Sequence, residues 1–190
     1  AGLIALERYA AKVSRSTRVA IDVYGFDMIS GLPEPTDYRD MPYAWKEGFF
    51  KSDPEILLKK LRNAEVISGN ISETLPKFLD ERSPAPVGFI SVDVDYYSST
   101  MAALALFNGC HERYLPRVTC YFDDLGNGNL FTGEHAAIET FNAENAMRKI
   151  ARQESFYNAF IYGRRAPLFF MMHDFEHPRY RSYTGYAAHT

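Results

Sequence analysis

The feature that most constrains this chain is a repeated unit. A short apolar run stops on an acidic or amide residue, and a stretch with helical periodicity follows. Val19 to Phe26 runs into Asp27, Glu65 to Ser68 into Gly69-Asn70, Val87 to Val92 into Asp93, and Val118 to Phe122 into Asp123-Asp124. Between them, Leu3 to Val13 carries Leu3, Leu6, Ala10 and Val13 at helical spacing. Ser52-Asp53-Pro54 is a helix start, a capping side chain followed by proline in the first turn. Ser72 and Ser98 or Ser99 are expected to cap two further helices, and another is expected from about Glu134 to Gln153. Phe156 to Tyr162 and Leu168 to Met172 read as strands joined at Gly163–Pro167 into an antiparallel hairpin. Strands alternating with helices predict an α/β fold, a doubly wound, Rossmann-like, mostly parallel sheet with a C-terminal antiparallel hairpin. In such sheets ligands bind beyond the carboxyl ends of the strands, where Asp27, Asn70, Asp93, Asp123 and Asp124 are expected to gather. One such residue is ordinary turn chemistry; four strand ends carrying them is the functional signal.

The 190 residues suit a single domain spanning 1–190. A net charge of −3 provides no general field for nucleic acid or an anionic membrane, and no apolar run is long enough to span a bilayer. The two cysteines, Cys110 and Cys120, are expected on a helix and a strand as free thiols, which suits a reducing, cytoplasmic setting. The expected partner is a small molecule, with neither nucleic acid nor membrane.

Several chemistries fit acidic strand ends. Asp93-Val94-Asp95 after an apolar strand is the pattern by which nucleotide-sugar glycosyltransferases bind a metal–diphosphate, but that leaves Asp27 and Asp123-Asp124 unexplained. A phosphatase with Asp93 as nucleophile would favour Thr or Val at position 97, where this chain has Tyr97. His173-Asp174-Phe175-Glu176-His177 reads as an exposed tail before a metal cluster, and His111 as structural. His135 follows the acidic loop and is a candidate base. Asp95 is expected to point away from the site, and Trp45 either lines the cleft or anchors its loop.

Val23-Tyr24-Gly25-Phe26-Asp27 with Gly31-Leu32-Pro33, Trp45 to Phe49, Gly69-Asn70 through Leu75-Pro76, Asp93-Val94-Asp95-Tyr96-Tyr97-Ser98-Ser99-Thr100 and Phe122-Asp123-Asp124 occur in this order. Together they resemble the macrocin O-methyltransferase (TylF-like) family of class I methyltransferases over about residues 19 to 141. The resemblance implies an S-adenosylmethionine-dependent O-methyltransferase acting on a hydroxyl of a sugar or secondary-metabolite-type acceptor. It implies a Mg²⁺ or similar divalent cation at Asp93, Asp123 and Asp124, with Asp93 catalytic. It places the cofactor ribose at Asp27 and the adenine at Asn70 and Ile71. Gly2 is where the methionine-binding turn would run into its helix, with the first strand of the sheet upstream of Ala1. Without that strand, the chain is expected to be neither stable nor active alone. A homo-oligomer and a catalytically silent, partner-binding relative stay open. Leu125 stands where the family often has an aromatic residue, and Met28-Ile29-Ser30 differs from the usual approach to Gly-Leu-Pro.

Overall fold

A computed structural model describes residues 2–153, 160–161, 164–165 and 169–182. The expected alternation forms. Helix α1 (Gly2–Thr17) leads to strand β1 (Tyr24–Asp27), α2 (Pro54–Lys60) to β2 (Glu65–Ser68), α3 (Ile71–Arg82) to β3 (Val87–Val92), and α4 (Tyr97–Leu104) to β4 (Tyr114–Phe122). Helix α5 (Gly133–Glu144) precedes β5 (Arg148–Arg152). Then come the short β6 (Phe160–Ile161) and β7 (Arg164–Arg165), and finally β8 (Phe169–Asp174).

Strands β1 and β2 pair in parallel, Asp27 opposite Ser68. A second sheet has the order β3-β4-β8-β5. In it β3 and β4 are parallel, and β8 is antiparallel to both β4 and β5, so β8 alone runs against its three companions. Among the described residues no strand joins β1 to β3. One core nevertheless serves both sheets: Leu75, Phe78 and Leu79 of α3 cluster with Val92, Val118, Phe122 and Phe170, and Tyr24, Phe26 and Ile67 pack against them.

Double winding is visible at β1 itself. Alternate residues of a strand face opposite sides. Tyr24 and Phe26 meet the ring of Phe78 on α3 edge-on, at 4.7 and 5.4 Å. On the other side a Cβ on Gly25 would lie 2.6 Å from Leu3, so glycine there lets α1 press against the strand.

Three expectations change. The helix after Asp124 stops at Glu144, and Arg148–Arg152 is a strand. Only Ile150 of it is buried, so its polar sequence hid it. The antiparallel neighbours of β8 are therefore β4 and β5, while Phe160–Ile161 pairs with Arg164–Arg165 instead. The rest of the expected hairpin, residues 156–159, 162–163 and 166–168, lies outside the described residues. Third, Cys110 sits in the turn before β4, exposed, while Cys120 is buried in that strand; both thiols are free. No helix among the described residues is long and apolar enough to cross a membrane.

Candidate active site

The register of β3 and β4 sets the site. Val92 lies opposite Phe122, and the Asp123 amide donates to the Val92 carbonyl at 3.0 Å, so Asp93 and Asp123 leave neighbouring strands at one level. On the first sheet Gly69 donates to the Asp27 carbonyl at 3.0 Å, drawing the ends of β1 and β2 together. Gly69 sits at φ +134°, a conformation that side chains resist. Asn70 then caps α3, its Oδ1 accepting from the Ser72 amide and hydroxyl at 3.0 and 2.9 Å. Ser72 is thus a partner of the cap rather than the cap itself.

Electrostatics tie these ends into one group. Burial raises the Asp93 carboxyl above its usual range, Asp123 raises it further, and Asp27 adds to both. Asp95 is pushed up to about 7, by burial first and then by Asp124, Asp93 and Asp123. Its charge is therefore coupled to the cluster, and its backbone is held at φ 58°. Asp124 is raised by burial, Asp93 and Asp123. Its Oδ1 accepts from Asn127 at 2.8 Å, while its buried Oδ2 has no hydrogen-bond partner among the described residues. Asp123 accepts a short bond from the Tyr121 hydroxyl, whose own proton is held more tightly through burial and that bond.

Glu134, which in the sequence marks only the approximate start of a helix, completes the group. It is fully buried. Its Oε2 accepts from the Asp124 amide at 2.9 Å and its Oε1 has no partner. Burial and Asp124 lift its carboxyl to about 9. Among the described residues, however, no three His, Cys, Asp or Glu side chains are placed to hold a metal ion as they stand.

A loop from Gly31 to Lys51 lies against this group. Its base is stitched by Leu32 donating to the Phe49 carbonyl and Gly48 to the Leu32 carbonyl, both at 2.8 Å. A Cβ at Gly31 would collide with Phe49 O at 2.5 Å. Trp45 packs edge-on against Phe50 within this loop, centroids 5.6 Å apart, as an anchor would.

The chain matches no protein-family model and no curated protein. Its structure is similar to the crystal structure of CalS11, a calicheamicin methyltransferase, with a TM-score of 0.61 and 19% sequence identity. The likeness covers 88% of this chain and 66% of that one, so this chain spans just under two thirds of its length. The fold is a methyltransferase fold.

The remaining candidates fall elsewhere in this fold. The charges around His135 are Arg152 and Glu139, on the side of β5, and its basicity is lowered chiefly by burial. The expected tail is exposed only at Phe175 and Glu176. Asp174 is fully buried at the start of β4, where His111 Nδ1 lies 2.7 Å from its Oδ2 and the Tyr114 hydroxyl donates to the same oxygen at 3.0 Å. His177 is also buried there, its Nε2 3.1 Å from the His111 carbonyl. His111 is structural, as its sequence context implied. Gly2 opens α1 with open space around it.

Proposed function

We propose that this chain is the catalytic part of an S-adenosylmethionine-dependent O-methyltransferase. It acts on a hydroxyl of a sugar or secondary-metabolite-type molecule, with a divalent cation at Asp93, Asp123 and Asp124. The observation that carries this reading is that Asp93, at the carboxyl end of one parallel strand pair, feels the charge of Asp123 beside it and of Asp27 at the carboxyl end of the other pair. On this reading the cofactor site and the cation site are neighbours, as transfer requires.

Asp27 fits a ribose. It ends β1, its carboxylate accepts no hydrogen bond from a described residue, and a carboxylate there can accept from both ribose hydroxyls. The turn at Gly69-Asn70, with Ile71 opening α3, is the proposed adenine rest; because the Asn70 side chain is occupied by capping, its backbone and Ile71 would form the contact. The donor set fits a hard cation: carboxylates that raise one another's pKa, and two buried oxygens without partners. The cation's place rests on that chemistry and charge, not on converged ligands.

When bound, the cofactor supplies an electrophilic methyl on a sulfonium, and a divalent cation supplies a Lewis acid for the acceptor hydroxyl. The acceptor hydroxyl would give up its proton to a base held by the chain. The chain's part is alignment, which in good cases lowers such barriers by about 7 kcal/mol or more, and acceptance of the proton by a carboxylate of the cluster.

Calorimetric titration with S-adenosylhomocysteine, and separately with a nucleotide-diphosphate sugar, tests this. Binding of the first is expected, weakened by about 1.5 to 3 kcal/mol in Asp27→Ala, the size of a lost charge-assisted bond. Unchanged affinity in the variant would refute the ribose assignment. Binding of the nucleotide sugar alone would point to the glycosyl-transfer alternative for Asp93-Val94-Asp95.

A further inference from the structure

Helix α4 begins at Tyr97 directly after the acidic turn, and it has no cap of its own. Tyr96 stands at the cap position without a side-chain bond to the helix. The first amides of any helix lack intrahelical partners and need an acceptor. Neither Ser98 nor Ser99 supplies one, although the sequence suggests either could. The acceptor comes from 58 residues upstream: Asp40 Oδ1 accepts from the Ser98 amide at 2.8 Å, and Asp40 Oδ2 from the Ser98 hydroxyl at 3.0 Å. The same Oδ2 accepts from the amides of Thr36 and Asp37, both at 3.0 Å. Asp40 is fully buried, and its carboxylate makes no ion pair among the described residues. A buried carboxylate is tolerable only when its lone pairs are filled, and four donors from two distant segments fill this one.

Three other contacts follow the same seam. The Tyr96 hydroxyl donates to the Pro33 carbonyl at 3.2 Å. The Arg39 guanidinium, paired with Asp37 at 2.8 Å, lies 3.6 Å from the centroid of the Tyr97 ring. A Cβ on Gly133 would fall 3.2 Å from Met41 Cε and 3.6 Å from the Asp95 carbonyl, so the loop, the acidic turn and the start of α5 meet at one place. Between Asp93 and Ser98 the backbone must pass through the left-handed conformation of Asp95, which a non-glycine residue holds only when its surroundings fix it.

We infer that Asp40 is a positioning residue: its carboxylate clasps the 31–51 loop to the first turn of α4 and thereby fixes the turn that carries Asp93 and Asp95. The clasp is a statement about this structure; its consequence for catalysis rests on the proposed methyltransferase function. Replacing Asp40 by Asn keeps the shape, but either orientation of the amide sets its NH₂ against a backbone N–H. Ser98→Ala removes a single bond and leaves the other three.

Amide hydrogen exchange on the full chain tests the clasp without reference to activity. In Asp40→Asn the amides of Thr36, Asp37 and Ser98 are expected to exchange at least tenfold faster together, with a matching rise at Tyr96. Ser98→Ala should give a smaller rise across the same set, and it carries the test alone if Asp40→Asn does not fold. Faster exchange confined to the loop with residues 95–98 unchanged, or no change at all, overturns the clasp. The positioning role is read from kcat per folded molecule. A fall of tenfold or more in Asp40→Asn, with S-adenosylhomocysteine affinity within twofold of wild type, is expected. A kcat equal to wild type overturns it, since a merely structural clasp would lower only stability. If the wild type neither binds the cofactor product nor transfers methyl, the proposed function fails, while the exchange data still decide the clasp.

Discussion

The two ends of the sheet hold buried acid in opposite ways. At the amino end of β4, Asp174 is enclosed by His111, Tyr114 and Arg148. Burial alone would raise its carboxyl, but the bonds from His111 and Tyr114 outweigh it and hold the group below its ordinary range. At the carboxyl end, Asp93, Asp95, Asp124 and Glu134 are all raised, by burial and by one another. Two of their buried oxygens have no partner. The first arrangement is compensated and reads as architecture. The second stores unfavourable charge that something else must relieve, and such strain concentrates at functional sites.

Breaking the carboxyl end should cost function first. Asp93→Asn is expected to lower methyl transfer by at least about 10²-fold, the scale of losing a catalytic carboxylate, while S-adenosylhomocysteine binding measured by calorimetry stays intact. Near-wild-type transfer would remove Asp93 from the chemistry. Breaking the amino end should cost stability instead. Asp174→Asn is expected to lose roughly 3 kcal/mol in denaturant unfolding at neutral pH, as removal of one member of a buried charged group does. Because the folded pKa lies below the ordinary value of 3.8, this contribution is present above that pH and fades as acid titrates the folded carboxylate. The gap between wild type and variant should therefore narrow as the pH falls below 3.8.

The sign reverses for Glu134. Its carboxyl rises from 4.5 to about 9 on folding, so the folded state is penalised increasingly as pH climbs between those values. In chelator at pH 8, Glu134→Gln should be more stable than wild type, the gain growing with pH above 4.5 by up to about 1.4 kcal/mol per unit, because the amide oxygen can still accept from Asp124. A loss of stability would mean that the carboxyl end is as well compensated as the amino end. The smallest effect belongs to the cap beside the site: Asn70→Ala should cost about 1 kcal/mol of stability and leave cofactor affinity nearly unchanged. A large drop in affinity with stability intact would return the Asn70 side chain to the adenine.

Much of the carboxyl end was legible from the residues because chain order carries it. An apolar run that stops on aspartate, repeated at strand–helix–strand distance, brings Asp27, Asp93 and Asp123 together whatever packs around them. The amino end was not legible. His111, Tyr114, Arg148 and Asp174 come from three distant segments, and although His111 reads as structural, nothing along the chain pairs it with Asp174, which reads as part of an exposed tail. Glu134 was hidden because an acid in the first turn of a helix is favoured by the helix dipole in any protein. Asp40 left a faint trace: Asp37 and Asp40 form a reciprocal capping box, and Ser98 lacked a partner that local sequence could supply.

The position of β8 has a consequence in time. It enters between β4 and β5, so the last strand described is an interior member of its sheet and not an added edge. During synthesis β4 and β5 emerge first, and the strand that lies between them emerges last. The free side of β5 meets the Asn142 side chain, which bonds Ile150 N and O at 2.7 and 2.8 Å like a stand-in strand. Until residues 169–174 leave the ribosome, half of this sheet is a set of open borders, and its closure is a single late event made by contacts far apart along the chain.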